Sequence, residues 1–285
     1  MWFLTALVPG PCLYRYSVAL FAVITLLNPA HAGKKIYVGK KTPTDQLVPL
    51  DKLDHGAWHT LLQRYVDQDG MVNYQRLKAS KPDMAALDAY INTLSTGNLK
   101  ASSKRESKLA FWINAYNAVT LHGILREYPT KSIRKHTSRF GGYNIWHDYQ
   151  LLVGSQTISL DSIEHKVLRK MNEPRIHFAI VCASIGCPRL LNEAYVADRL
   201  EEQLERNAKD FFTRSRNFRY DSAKRRFYLS AILDWFATDF GRNRAAQLKT
   251  IAKWLPSTQA RKAAEENAVR VSYLSYDWDL NEQAK

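Results

Sequence analysis

The chain has 285 residues, of which 46% are hydrophobic and 24% are charged, and its formal net charge is +14. These proportions exclude a long disordered protein, and the length suits one large domain or a small domain with additional segments. The positive charge favours anionic partners. Because no nucleic-acid-binding motif accompanies it, we expect an anionic envelope polymer or an envelope protein as the partner, and no specific nucleic acid.

The first 32 residues have the pattern of a signal peptide. Arg15 precedes an apolar run from Ser17 to Leu27, and residues 30–32 match the small-x-small cleavage pattern. The run is shorter than the roughly 20 residues that a transmembrane helix needs. We therefore predict a periplasmic or secreted protein with no transmembrane helix after cleavage.

The next segments predict an arm followed by helices. Residues 33–54 are polar and basic, which is typical of an extended arm. Apolar residues recur at helical spacing in residues 55–66 and again in residues 82–95. The longest predicted helix covers residues 105–127, and its middle is apolar nearly all round. Such a helix is buried at the centre of a domain.

The second half of the chain combines further helices with two hairpin signals. The hairpins join residues 145–152 to 157–160 and residues 218–220 to 226–229. Helices are predicted at residues 193–213, 243–254 and 257–267, and a closing strand at residues 269–274. We therefore predict a single α+β domain over residues 55–280, in which a small, mostly antiparallel sheet packs against several helices around the central buried helix 105–127.

Side chains with catalytic potential are concentrated between Pro174 and Leu191, in PRIHFAIVCASIGCPRLL. Residues 176–181 are mostly β-formers and predict a buried strand, which a small-residue loop follows. Alternation along this strand places Cys182 on the face opposite His177. Cys187 lies further along, in a loop that can curl back toward the strand. Cys187 is therefore the predicted nucleophile, with His177 as its base.

Glu164 lies on a predicted helix that precedes this stretch, and we predict it as the carboxylate that orients the histidine. Structural roles for Glu164 and His177 stay open. Cys182 also fits a small core residue, or a disulfide with Cys187 in an exported protein. The spacing of the two cysteines is outside that of zinc sites and the mature chain has no second pair, so no metal and no cofactor are predicted.

Asn114 and Asn117 are three residues apart on one face of the central helix. Buried amides must be hydrogen-bonded. We favour a structural role in which the two amides hold a neighbouring loop. The alternative is that they orient a catalytic side chain, stabilise an oxyanion or bind the substrate. Asp234, beside Trp235, is a further acid of interest, although acids in such positions are more often helix caps or ion-pair partners.

Several of these segments together resemble the DUF547 family, a domain of unknown function. The matching pieces, in chain order, are HGAWHTLLQRYVDQDGMVNY, FWINAYN (Phe111–Asn117), SLDSIEHKVLR (Ser159–Arg169), RIHFAIVCASIGCP (Arg175–Pro188), DWF (Asp234–Phe236) and YLSYDW (Tyr273–Trp278). The resemblance extends over residues 55–280. The FWINAYN helix is also similar, more distantly, to one in transglutaminase-like and papain-like folds, but the order of their usual Cys and His is not found here.

Two functions are therefore considered, and whether the protein is an enzyme stays open. The first is an exported thiol-dependent hydrolase or acyl-transferase that acts on amide or ester bonds in the cell envelope. In it, Cys187 is the nucleophile, His177 the base and Glu164 the orienting acid, and Asn114, Asn117 and Cys182 bind or orient. The second is a non-catalytic envelope binding module with structural cysteines.

Overall fold

The computed structural model describes residues 35–138 and 143–284. The predicted signal peptide, residues 1–32, lies outside the described residues. Among the described residues, no helix is long and apolar enough to cross a membrane. The described part of the predicted arm, residues 35–54, consists of short strands and 3-10 turns, and Leu50 within it is buried in the hydrophobic core.

Helices make up 51% of the structure, which confirms the predicted α+β class. The α-helices are α1 (Gly56–Tyr65), α2 (Tyr74–Ala79), α3 (Lys81–Leu94), α4 (Arg105–Glu127), α5 (Ile145–Asp148), α6 (Leu160–Ser162), α7 (Leu200–Thr213), α8 (Ile232–Trp235), α9 (Ala237–Phe240), α10 (Arg244–Ala252) and α11 (Thr258–Glu265). The helix predicted at residues 193–213 begins only at Leu200, after a 3-10 turn.

Within residues 35–138 and 143–284 the strands form three small sheets of mixed pairing, where the sequence predicted one mostly antiparallel sheet. The strands are β1 (Ile36–Val38), β2 (Val48–Pro49), β3 (Gly97–Asn98), β4 (Tyr149–Val153), β5 (Gln156–Ser159), β6 (Phe218–Asp221), β7 (Arg226–Leu229) and β8 (Arg270–Tyr273). The two predicted hairpins, β4–β5 and β6–β7, are antiparallel. The other pairs, β1–β4, β2–β3 and β7–β8, are parallel, because long intervening segments return the chain in the same direction.

The central helix α4 has the predicted bounds, Arg105–Glu127, and its middle is buried on all sides. Gly123 allows a neighbouring segment to approach closely, since a Cβ there would lie 2.9 Å from the Ile145 side chain. The core divides into two clusters of buried residues. One surrounds α4, and the other lies between α7, the β6–β7–β8 sheet, α10 and α11.

The prediction of a strand at residues 176–181 is wrong. Pro174–Phe178 is a 3-10 helix, and an irregular buried segment follows it. Pro174 at the first position favours a helix start, and the Glu173 carboxylate caps it by accepting the Arg175 N–H at 3.1 Å. Beyond the helix, the backbone bonds to a side-chain amide of α4 and to residues 277–281 rather than to a sheet.

Candidate functional site

A cavity of about 290 Å³ brings together the predicted catalytic residues Cys187, His177 and Glu164, and Cys182 with them. Aromatic side chains form much of its lining, and we call the following set the aromatic wall: Trp146, Trp235, Phe236, Tyr276 and Trp278. Asp161, Tyr116, His147 and His165 also line the cavity. The grouping of the predicted residues in one concave site is the arrangement expected of a functional site.

The loop of residues 182–187, which we call the cysteine loop, holds both thiols against each other. The cysteines are free, and their sulfur atoms lie 2.8 Å apart. Ala183 adopts a left-handed conformation with φ of 59°, which turns the loop back on itself. Gly186 lies against the chain end, where a Cβ would be only 2.9 Å from the backbone of Asp277. Both features bring Cys187 back beneath Cys182.

The Cys187 sulfur lies among hydrogen-bond donors. It accepts the backbone N–H of Cys182 at 3.1 Å and lies 3.0 Å from the Tyr276 hydroxyl and 2.8 Å from the Cys182 thiol. Burial raises the pKa of Cys187, but these hydrogen bonds outweigh it and the pKa is lowered. The pKa of Cys182 is raised, chiefly by its hydrogen bond to Cys187 and by burial. The pair therefore loses its first proton from Cys187, with Cys182 and Tyr276 as donors.

Glu164 lies on a π-helical turn, Ile163–Leu168, between α6 and the cysteine loop. Such turns are rare and occur frequently at functional sites. Its Oε2 accepts the Tyr116 hydroxyl at 3.3 Å. Burial, and then the nearby Cys182 thiol, raise the pKa of Glu164 to about 7. The carboxyl group is therefore close to half protonated at neutral pH, which suits an acid–base catalyst. No hydrogen bond joins Glu164 to His177 in the described part of the chain.

His177 is paired with a carboxylate that the sequence analysis did not identify. Its Nε2 lies 2.8 Å from Asp239 Oδ2, and its ring stacks on Phe236 with centroids 4.1 Å apart. Arg169 bonds both oxygens of Asp239, at 2.6 and 2.7 Å. Burial lowers the pKa of His177, although Asp239 partly opposes this. The hydrogen bond to a carboxylate assigns the proton of the neutral ring to Nε2 and leaves Nδ1 as an acceptor.

The predicted contact between Cys187 and His177 is not among the hydrogen bonds of the described residues. The thiol is bonded within the cysteine loop and to Tyr276, and the imidazole is bonded to Asp239. Both side chains nevertheless line the same cavity. The role of His177 as a base stays a prediction.

The comparisons with known proteins give one family. The model described as "Protein of unknown function, DUF547" matches residues 100–212. The predicted resemblance to DUF547 is confirmed over these residues, and its wider predicted extent, residues 55–280, stays a prediction. No curated protein and no solved structure matches the chain. The DUF547 match contains α4, Glu164, His177 and the cysteine loop, whereas Asp239 and Tyr276 lie beyond its end.

Within the DUF547 match, the side chains of Asn114 and Asn117 form hydrogen bonds with backbone groups and are not part of the cavity lining. Asn117 donates to the carbonyl of Ala179 at 2.9 Å and accepts the N–H of Val181 at 2.9 Å. Asn114 makes the equivalent two bonds to Tyr195, at 2.8 and 3.0 Å. This is the structural role that we favoured. Asn117 nevertheless orients the site, because it fixes the backbone that leads directly into the cysteine loop.

Sequence reasoning missed Asp239, Arg169 and Tyr276. It singled out Asp234, which is exposed and does not line the cavity. Asp239 follows five residues later, in the ATDFG segment, and Tyr276 lies in the closing YLSYDW segment that carried part of the DUF547 resemblance. The position of Asp239 and Tyr276 in these recognisable segments was the sequence signal that could have identified them. In the described residues, no group of three or more His, Cys, Asp and Glu side chains is placed to hold a metal ion.

Proposed function

We propose that the protein is a thiol-dependent hydrolase or acyl-transferase with Cys187 as its nucleophile. The observation that carries the proposal is the environment of the Cys187 sulfur, which has the Cys182 N–H, the Cys182 thiol and the Tyr276 hydroxyl within 3.1 Å. A thiolate, not a thiol, is the nucleophile, and donors around the sulfur stabilise it. The cavity beside it provides space for an acyl group.

In the proposed reaction, the Cys187 thiolate attacks the carbonyl carbon of an amide or ester. The C–S bond forms, the bond to the leaving nitrogen or oxygen breaks, and the leaving group takes a proton from the Glu164 carboxyl group. Glu164 then accepts a proton from water, or from an acceptor nucleophile, which attacks the thioester and releases the thiolate. A pKa of about 7 lets Glu164 serve in both directions at neutral pH. This acid–base role replaces the predicted one of orienting His177.

We place the substrates in the cell envelope, as amide or ester bonds of envelope peptides or proteins. The support is the signal-peptide pattern of residues 1–32 and the net charge of +14, which favours anionic envelope polymers. His177 belongs to the same cavity, and its neutral ring, whose Nδ1 is an acceptor with no hydrogen bond among the described residues, is suited to proton transfer. Glu164 and His177 are thus both available to the thiol reaction.

One observation favours the second candidate function, a non-catalytic envelope binding module. The sulfur atoms of Cys182 and Cys187 are 2.8 Å apart, so a small movement would join them in the roughly 2.05 Å bond of a disulfide. A protein that leaves the reducing cytosol would then keep them as a structural bridge. The net charge of +14 would serve to hold an anionic polymer.

Alkylation of the unreduced mature protein with iodoacetamide, across pH and with mapping of the labelled residue, separates the two functions. The enzyme proposal expects Cys187 to react with an apparent pKa below the roughly 8.5 of a free thiol. Cys187→Ser should abolish this labelling, whereas Cys182→Ser, the matched variant five residues away, should retain labelling at Cys187. A protein that reacts only after a reductant is added contradicts the proposal and supports the binding module.

If labelling is observed, p-nitrophenyl esters provide the second step. Wild-type protein should release a burst of nitrophenol as the acyl group moves to Cys187, and mass spectrometry should detect the thioester. Glu164→Gln should retain the burst with this good leaving group and slow the following hydrolysis, because water then lacks its base. Equal hydrolysis rates in both proteins would refute the assigned role of Glu164.

A further inference from the structure

The aromatic wall is unusual because part of it is open to solvent. Trp235 is 49% exposed, one of two large hydrophobic side chains that are exposed in the described chain. Its ring contacts Tyr276 and Trp278, with centroids 4.9 and 5.8 Å away. Trp146 packs on Trp278 from a separate segment, at 6.3 Å. A cavity with three indoles along one wall offers negative π-faces to whatever enters it.

The charged groups that line the cavity differ from those of the whole protein. The chain has 41 Lys and Arg against 27 Asp and Glu. Within the described residues, however, the cavity lining contains the carboxyl groups of Asp161 and Glu164 and no lysine or arginine. Two guanidinium groups lie against rings of the aromatic wall: Arg134, 5.2 Å from the centre of the Trp278 ring, and Arg169, 5.3 Å from that of Phe236. Arg169 is also bound by both oxygens of Asp239. The lining itself thus carries carboxyl groups and imidazoles, within a protein whose net charge is positive.

The two carboxyl groups also have acceptor capacity to spare. Asp161 is 30% exposed, and its ion-pair partners among the described residues are imidazoles, with the His147 and His165 nitrogens at 3.9 and 3.7 Å. Those distances are longer than a hydrogen bond. Glu164 uses Oε2 for Tyr116, and no hydrogen bond of Oε1 is found among the described residues. Both side chains line the cavity, so a ligand with N–H donors can bond to them.

From these observations we infer that the cavity binds an organic ammonium group, a protonated primary amine on an aliphatic chain. The indoles of the aromatic wall attract the cation and cover the chain, and Asp161 and Glu164 accept its N–H bonds. One ring of the wall already accepts a cation, because the Arg134 guanidinium lies 5.2 Å from the centre of the Trp278 ring. A neutral donor such as an alcohol forms a weaker hydrogen bond with the two carboxyl groups than a cation does, and an anion is repelled by them when they are ionised.

This inference rests on the proposed function, since it names the substrate class of the same cavity. An ammonium group bound there is the charged part of the acyl donor or of the acyl acceptor, and the reacting atom is elsewhere in the same molecule. Binding is therefore measured with the Cys187→Ser variant of the full mature chain, which cannot carry out the thiol reaction. The probe is butylammonium chloride, and butan-1-ol is its neutral counterpart of nearly equal size. Tryptophan fluorescence is followed at constant ionic strength with sodium chloride.

We expect saturable quenching by butylammonium, with a dissociation constant at least tenfold lower than that of butan-1-ol. Trp235→Leu and Asp161→Asn should each weaken butylammonium binding about tenfold. The matched controls are Tyr37→Leu, the other exposed aromatic at 54% exposure, and Asp221→Asn, whose side chain is 28% exposed beside 30% for Asp161. Both controls should bind as the parent does.

Equal affinity for butylammonium and butan-1-ol, or loss of binding in the controls as large as in the cavity variants, would overturn the inference. Binding without any Cys187 alkylation in the unmutated protein would uphold the ammonium site and refute the thiol enzyme. Alkylation and acyl transfer without butylammonium binding would uphold the thiol enzyme and refute the ammonium site. The two proposals therefore fail separately.

Discussion

Tyr276→Phe removes one hydroxyl group from the surroundings of Cys187 and leaves the ring in place. The hydroxyl lies 3.0 Å from the Cys187 sulfur. Burial raises the pKa of Tyr276 far above its usual value, so the phenol keeps its proton and donates it. The ring packs on Trp278 with centroids 4.5 Å apart, and phenylalanine preserves this contact. The substitution therefore tests the hydrogen bonds of this hydroxyl group, which lies 3.3 Å from the Cys182 sulfur as well.

The expected size follows from the strength of hydrogen bonds to charged groups. Such a bond contributes about 1.5–3 kcal/mol, and one pKa unit corresponds to about 1.4 kcal/mol. Loss of the Tyr276 bond should therefore raise the pKa of Cys187 by roughly one to two units. The Cys182 N–H, at 3.1 Å, still stabilises the thiolate, which is why the thiol should remain reactive at higher pH.

The assay is the rate of iodoacetamide alkylation at Cys187 between pH 5 and pH 10. The apparent pKa should move upward, and the rate near pH 7 should fall about tenfold or more. Tyr273→Phe is the matched control, because its hydroxyl contacts Arg244 and not the thiols. An unchanged pH profile in Tyr276→Phe would refute the thiolate environment that we describe, and an equal shift in both variants would show a general effect of losing a phenol.

Three further predictions concern stability and oxidation. Asn117→Ala leaves the Ala179 carbonyl and the Val181 N–H unpaired and should lower the free energy of unfolding by about 2–4 kcal/mol in urea titrations. The exposed helix-cap variant Asn243→Ala should lower it by only about 1 kcal/mol, and equal losses in the two variants would contradict the role of Asn117. Diamide should join Cys182 to Cys187 within one chain: mass spectrometry should show the loss of two hydrogen atoms, alkylation should stop, and dithiothreitol should reverse both changes. Formation only of dimers between chains would argue against the pairing. Glu164 binds its proton more tightly in the folded state, with a pKa of about 7 against 4.5, so the unfolding free energy of the wild type should fall between pH 4.5 and pH 7. Glu164→Gln should lack this decrease, so it should be about 3 kcal/mol more stable than the wild type above pH 8 and equally stable below pH 4. Parallel pH profiles of the two proteins would refute the raised pKa of Glu164.

The central helix was predictable because its signal is local and long. The middle of the segment at residues 105–127 is apolar nearly all round, and such a pattern over several turns is typical of a buried helix. The structure of the segment after Pro174 was not predictable, because Ile176, Phe178 and Ile180 match a strand and a buried irregular segment equally well. Its true partners are the Asn117 amide and the chain end. Neither partner can be recognised from the composition of the segment itself.

The contents of the cavity were partly predictable for a similar reason. Cys187, His177 and Glu164 stood out as reactive residue types close together in sequence, and the fold does bring them to one cavity. Their individual partners were not predictable. Asp239 is 62 residues from His177, and Tyr276 is 89 residues from Cys187. Such contacts depend on how the two hydrophobic clusters pack, which no local pattern encodes.

The site is therefore assembled from parts of the chain that differ in their resemblance to known families. The DUF547 match ends at residue 212 and supplies the thiols, Glu164 and His177. The segments after it supply Trp235, Phe236 and Asp239 from the region of α8 and α9, and Tyr276 from the chain end. Burial lowers the pKa of His177, and Asp239 partly opposes this. Burial raises the pKa of Cys187, and the hydrogen bonds from Cys182 and then from Tyr276 help to outweigh it. The reactive groups thus lie within the matched region, while two of their hydrogen-bond partners, Asp239 and Tyr276, lie beyond it, so both parts of the chain are needed for the chemistry that we propose.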